Sequence, residues 1–221
     1  MKFLWIVILL CFFCFNCSTS KCVIGDCIEG SGELVYSDGS RYKGCFENGN
    51  RSGRGEFIYP DGTIYKGNFV KGDFSGTGYL KIPDEFIYEG EFENWLPHGY
   101  GVVKYPDGST YSGDFNESKI EGYGTMIFVG VSKYVGEFKN NRMHGKGVLE
   151  TVDGLKYAGR WVNGLINGYC SVTYPDGKIL EGNWVNNRIE GYGLYRYPDG
   201  RTEKSFWKDG EYVGAKDPSE E

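Results

Sequence analysis

The sequence predicts an all-β fold: an antiparallel meander of β-hairpin units, each 23 residues long. Three observations predict it. Several residue columns recur every 23 positions, aromatic and polar residues alternate within short segments, and Asp-Gly pairs separate those segments.

The period starts at Tyr42. Steps of 23 reach Tyr65, Tyr88, Tyr111, Tyr134, Tyr157, Leu180 and Glu203. Two residues further on stand Gly44, Gly67, Gly90, Gly113, Gly136, Gly159, Gly182 and Ser205. Four residues on, the column reads Phe46, Phe69, Phe92, Phe115, Phe138, Trp161, Trp184 and Trp207. Eleven on, Gly53, Gly76, Gly99, Gly122, Gly145, Gly168, Gly191 and Gly214 align without exception. Several columns in one register are a repeat architecture, in which each unit buries its apolar face against its neighbours.

Within a unit, Tyr65-Lys66-Gly67-Asn68-Phe69 and Gly55-Glu56-Phe57-Ile58-Tyr59 alternate with period two. That period belongs to strands with one aromatic and one polar face. Asp61-Gly62, Asp107-Gly108, Asp153-Gly154, Asp176-Gly177 and Asp199-Gly200 are hairpin turn signals. Asp84-Glu85 and Gly130-Val131 depart from that pair and require turns of another build. A Gly–Asn-rich loop such as Glu47-Asn48-Gly49-Asn50 links the two segments. Gly44, set between Tyr42 and Phe46, leaves room for a ring over the backbone, which compensates the weakness of Gly in a strand. Stacked rings bury about 150–250 Å² each.

The array runs over residues 30–214, with a polar tail at 215–221. Glu203, Ser205 and Lys216 replace Tyr, Gly and Gly in the last unit, as expected of a capping repeat. Residues 17–29 form a linker and a degenerate first unit, with Cys22 at the register of Cys45. Ahead of them, Lys2 precedes an apolar run from Phe3 to Phe15. The run is short for a spanning helix, which needs about 20 residues, and suits the apolar region of an export signal. Two cleavage sites are open. Residues 1–16 are a lipoprotein-type signal with Cys17 as the lipidated first residue, in a setting that resembles a relaxed bacterial lipobox. Alternatively residues 1–20 are removed after Ser20, where Ser18 and Ser20 satisfy the small-x-small rule. An uncleaved N-terminal anchor is the third possibility. The expected location is the cell envelope membrane, lipid-anchored, or else secreted.

Gly accounts for 35 of 221 residues and Tyr for 18, a composition of short strands and tight turns. The net charge is −6, and removing residues 1–16, whose one charged side chain is Lys2, takes it to −7. That balance argues against nucleic acid, which requires a basic stripe. The seven cysteines include Cys11 and Cys14 inside the presumed signal. Cys22 and Cys27 are the candidate disulfide in an exported protein; reduced cysteines serving as small apolar side chains are the alternative. No spacing suits zinc.

These columns resemble the MORN repeat (membrane occupation and recognition nexus). Tyr88-Glu89-Gly90-Glu91-Phe92, His98-Gly99-Tyr100-Gly101 and Asp107-Gly108 follow its pattern. So do Tyr134, Gly136, Phe138, His144-Gly145-Lys146-Gly147 and Asp153-Gly154. The resemblance implies an elongated, twisted antiparallel sheet with a concave aromatic face, used as a non-enzymatic scaffold and protein-binding module. At two strand spacings per unit, roughly 10 Å, eight units give a sheet on the order of 80 Å long.

The candidate partner surface is the aromatic row Tyr65, Phe69, Tyr88, Phe92, Tyr111, Phe115, Tyr134, Phe138, Tyr157 and Trp161. A single-layer sheet is expected to leave part of that row open, where a helix, a peptide or a second copy of the chain docks in a homodimer. Alternatively, the rings only stack on one another as core. The competing function is a peripheral phospholipid-binding protein; the acidic balance weakens it. No catalytic group, metal, cofactor or small-molecule substrate is expected. His98 and His144 fall in one repeat column two units apart, too far to share an ion by the spacing above. Glu47, Glu91, Glu93, Asp114 and Glu137 are expected on the polar face or in loops, and the Asp of Asp-Gly is a turn former. Gly53-Arg54-Gly55 and its equivalents lack the strand–loop–helix setting of a phosphate loop.

Overall fold

The computed structural model describes residues 20–216, so Cys17 and both proposed signal segments up to residue 19 lie outside the described residues, as do residues 217–221 of the tail. The described residues contain strands and turns and no helix. They divide into two compact units, with the boundary between Lys119 and Ile120.

The first unit holds β1 (Lys21–Gly25), β2 (Gly30–Val35), β3 (Arg41–Glu47), β4 (Asn50–Ile58), β5 (Ile64–Val70), β6 (Asp73–Ile82), β7 (Phe86–Glu93), β8 (Leu96–Lys104) and β9 (Thr110–Asn116). Each strand pairs antiparallel with the next in sequence. The second unit repeats the plan with β10 (Lys119–Phe128), β11 (Ser132–Lys139), β12 (Arg142–Thr151), β13 (Lys156–Val162), β14 (Leu165–Thr173), β15 (Ile179–Val185), β16 (Arg188–Arg196), β17 (Thr202–Lys208) and β18 (Glu211–Gly214). Here too consecutive strands pair antiparallel. The all-β meander of hairpin repeats is therefore the fold.

Two turn types alternate. The Asn-rich links are two-residue turns with both residues at positive φ, as at Asn48-Gly49 (49° and 74°) and Asn140-Asn141 (49° and 63°). Glu47 pairs with Asn50 and Lys139 with Arg142, so no loop is left over. This geometry matches the right-handed twist of the strands it joins, and Asn and Gly tolerate it best. The Asp-Gly turns are longer. Tyr59 closes on Thr63, Gly62 bonds back to the Tyr59 carbonyl, and the Asp61 carboxylate accepts the Thr63 amide at 2.8 Å. Asp107, Asp176 and Asp199 do the same for Ser109, Lys178 and Arg201. At the two departures the left-handed residue moves one place earlier, to Asp84 (φ 59°) and Gly130 (φ 67°).

The recurring Gly eleven residues after the Tyr has a separate cause. Gly53, Gly76, Gly99, Gly122 and Gly145 stand at φ between 57° and 68°. They sit beside register shifts such as those between Gly44 and Cys45 and between Gly90 and Glu91. A β-bulge places one residue in this left-handed region, which glycine adopts without the steric penalty of a Cβ.

Both units bury aromatic side chains on one face. Tyr42, Phe46, Phe57, Tyr65, Phe69, Phe74, Tyr88 and Phe92 are buried in the first unit. The second turns aliphatic towards its end, where Val172, Leu180 and Ile189 pack with Leu155, Tyr157, Trp184 and Trp207 around them.

Candidate functional site

The predicted aromatic row is brought together within each unit, but as core. Tyr65, Phe69, Tyr88, Phe92, Tyr111, Phe115, Tyr134, Phe138 and Trp161 are each at most 5% exposed, and Tyr157 is half-buried. The expectation of an open aromatic groove therefore needs correction: in this structure the rings cover one another and are not a ready docking surface. Each Tyr meets the Phe four residues on edge to face, as Tyr88 meets Phe92 at 5.1 Å and 89°. It meets the Phe of the next hairpin the same way, as Tyr88 meets Phe115 at 5.1 Å and 85°. Tyr42 with Phe69, Tyr65 with Phe92, and Tyr134 with Trp161 repeat this contact. The rings form a zipper in the edge-to-face geometry their quadrupoles favour.

A hydrogen bond locks each ring. The hydroxyls of Tyr42, Tyr65, Tyr88, Tyr111 and Tyr134 donate to the carbonyls of Cys45, Asn68, Glu91, Asp114 and Glu137, at 2.8–3.1 Å. The ring then lies over two paired glycines, as Tyr88 lies over Gly90 and Gly101. Burial raises these phenols, to about 12 at Tyr42 and Tyr65. In the Tyr157 repeat, Cys170 replaces the second glycine and fills the space itself, fully buried, with its thiol pushed up to about 12 by burial.

Arg51 occupies a core column. The positions equivalent to it within the array are Phe74 and Pro97 in the first unit and Ile120, Met143, Ile166 and Ile189 in the second, while the column's end members Ile28 and Tyr212 are exposed. Its guanidinium lies within 4.9–6.0 Å of the ring centres of Phe57, Trp95, Phe69, Tyr36 and Tyr42. It also donates to the Gly72 carbonyl at 2.8 and 3.2 Å and to the Tyr36 hydroxyl at 3.3 Å. The cation is thus absorbed by the fold.

Besides Tyr212 near the end of the array, the exposed tyrosines belong to another column, outside the predicted aromatic row. Tyr100, Tyr123 and Tyr192 stand between the glycines of the Gly-x-Gly segment and Tyr169 between Gly168 and Cys170, all 48–59% exposed. Arg54, Thr77 and Lys146 complete the column. The bulge glycine turns this position away from the core. The available signal was tyrosine at four of seven places 12 residues after the core Tyr.

The carboxylates of this outer face serve the backbone. Glu91 accepts the Tyr100 amide at 3.1 Å and Glu137 the Lys146 amide at 2.8 Å. His98 Nε2 lies 3.5 Å from the Glu93 carboxylate, and His144 Nδ1 is buried with no hydrogen-bond partner. Among the described residues no three His, Cys, Asp or Glu side chains gather to hold a metal. Cys22 and Cys27 are joined, sulfur to sulfur at 2.10 Å, whereas Cys45 and Cys170 are free thiols.

A third feature is aliphatic. In the second unit Val131 and Val152 are 55% and 76% exposed on neighbouring turns, where the Val152 amide donates to the Val131 carbonyl at 2.9 Å. Further along the same strands, beyond the paired Lys133 and Glu150, Val148, also exposed, pairs with Val135.

Hairpin units that bury their own rings and repeat one outer surface define a repeat-built interaction scaffold. The model of the MORN repeat matches residues 28–41, 42–64, 88–110, 111–130, 134–156, 157–179 and 181–200. The chain therefore belongs to the MORN repeat family. No curated protein matches the sequence. Among solved structures, it is similar to the TCP domain of SAS-4 (dCPAP) from Drosophila melanogaster, in complex with a proline-rich motif of Ana2 (dSTIL). That match has 13% identity and a TM-score of 0.48, covering 80% of this chain and 90% of that one. It is also similar to the E1021V mutant of the TCP10 domain of Danio rerio CPAP, at 13% identity and a TM-score of 0.48, covering 83% and 86%. Likeness this distant carries no argument about function.

Proposed function

We propose that this MORN array is a non-enzymatic scaffold that holds a protein or peptide partner at the cell envelope. The observation that carries the partner side is the exposed aliphatic patch of the second unit. Val131 and Val152 stand on adjacent turns, and the paired Lys133 and Glu150 separate them from Val135 and Val148 further along the strands. Val131 lies in the turn that departs from Asp-Gly, so the patch is built where the repeat rule is broken. Adjacent exposed aliphatic side chains mark partner sites.

The envelope side rests on the sequence: an apolar run to Phe15, then Cys17 as the acceptor of a lipid anchor. Intact-mass analysis of the protein from its own membranes tests it. A mature chain that begins at Cys17 with acyl mass, lost in Cys17→Ser, is the expected result. A chain that begins at Lys21 without acyl groups would replace anchoring with secretion.

The partner is sought by crosslinking in those membranes, with wild type beside a Val131→Glu/Val152→Glu variant. Both side chains are exposed, so the variant should keep the wild-type unfolding midpoint while its main crosslinked species disappears. An unchanged crosslinking pattern would refute the patch as the docking site.

A further inference from the structure

We infer that the outer face of the second unit is a platform for a linear, carboxylate-bearing glycan, seated across Lys146, Arg160, Tyr169, Asn183 and Tyr192. This goes beyond the scaffold reading and does not depend on it.

Charge is the first argument. Lys146 and Arg160 stand directly opposite each other on β12 and β13, and both are exposed. Like charges so placed destabilise a sheet. None of the six ion pairs among the described residues involves either of them, or Lys204 nearby on β17. The neighbouring Glu137 carboxylate accepts the Lys146 backbone amide. The face thus presents cations that an anionic ligand would complement.

Shape and spacing are the second. Tyr169 pairs with Asn183 across β14 and β15, and Tyr192 follows one repeat later on β16. Both rings are about half exposed, at 59% and 48%. Between them lies a shallow open hollow of about 460 Å³, lined also by Asn183, Lys204 and the Glu181–Arg196 ion pair. One repeat is two strand spacings, about 10 Å. The disaccharide of a β-1,4-linked glycan repeats over the same length. Alternate sugar rings can therefore lay their C–H faces on successive tyrosines, while their carboxylates meet Lys146, Arg160 and Lys204. Asn183 supplies an amide for the hydroxyls.

An extended acidic peptide fits less well. These strands spend their backbone groups in ladders on both sides. A peptide therefore finds no sheet edge to join, whereas a pyranose needs only a flat ring and scattered polar groups.

Calorimetric titration of the full chain tests this. The probes are a β-1,4-linked polymannuronate oligomer, neutral cellohexaose and poly-L-glutamate of matched charge. Polymannuronate should bind, and poly-L-glutamate should bind about tenfold more weakly or worse, because it lacks the stacking contribution. Tyr169→Ala/Tyr192→Ala should weaken polymannuronate binding by about tenfold, and Tyr169→Phe should retain it. Lys146→Ala/Arg160→Ala should reduce polymannuronate binding towards that of cellohexaose and flatten its salt dependence. All four side chains are exposed, and matching unfolding midpoints will show that the variants fold. Absent polymannuronate binding, equal binding of poly-L-glutamate, or an unaffected Tyr169→Ala/Tyr192→Ala variant would each overturn the proposal.

Discussion

The ring of Tyr88 lies so flat over Gly101 that a β-carbon built there would stand 2.6 Å from its Cζ. The same ring covers Gly90, where a β-carbon would stand 2.7 Å from Cζ, and its hydroxyl reaches the Glu91 carbonyl at 2.8 Å. Tyrosine, two glycines and one carbonyl are a single packing unit. Gly101→Ala should destabilise the protein by about 2 kcal/mol or more through overpacking. Tyr88→Phe should cost about 1 kcal/mol, the value of one hydroxyl hydrogen bond. In a urea double-mutant cycle, Tyr88→Leu should recover part of the Gly101→Ala loss, since the ring that clashes is gone. Strict additivity of the two would contradict this packing.

Arg51 tests a different balance. Its guanidinium fills a core position, ringed by five aromatic side chains and bonded to Gly72 and Tyr36. Arg51→Ala should lower stability by about 2–3 kcal/mol, because packing and charge-assisted bonds are lost together. Lysine cannot supply the planar fork, so Arg51→Lys should fall near the alanine variant. Arg51→Met, which restores bulk alone, should fall between wild type and alanine in thermal unfolding.

The buried phenols give the protein an alkaline limit. Burial holds Tyr42 and Tyr65 up to about 12 in the folded chain, against an ordinary value near 10. Between those values the unfolded chain loses protons that the folded chain keeps. Stability from this source is thus fully present below about pH 10 and declines as pH rises towards 12. Urea midpoints should fall across that window. The fall should be shallower in a Tyr42→Phe/Tyr65→Phe variant and unchanged in the exposed-ring variant Tyr169→Phe.

The Cys22–Cys27 bridge should act locally. It joins residues five positions apart, and all five residues of β1 are exposed. A loop this short constrains the unfolded chain by about 2 kcal/mol at most. Cys22→Ser/Cys27→Ser should leave the main unfolding midpoint in place while the Val23 and Ile24 amides lose hydrogen-exchange protection. A large drop in the midpoint would show instead that β1 unfolds together with the unit.

The sequence by itself determined the strands, their order and their turns. Period-two alternation, Asp-Gly pairs and the columns of Tyr, Gly and Phe are local signals, and each hairpin obeys them within a few residues. Even the invariant Gly column was legible, although its cause, a left-handed bulge residue at Gly53 and its equivalents, was not. Only the tertiary structure decided which side of the sheet meets solvent. Tyr65 and Phe69 read as an open face until rings from neighbouring hairpins are placed edge to face over paired glycines. Tyr100 and Tyr169 carry no mark of exposure in the sequence, and the folded sheet leaves both outside the core. Closure of a face depends on how side chains from separate hairpins fill one another's space. A linear pattern can name those side chains, but it carries no information on the angles at which they meet.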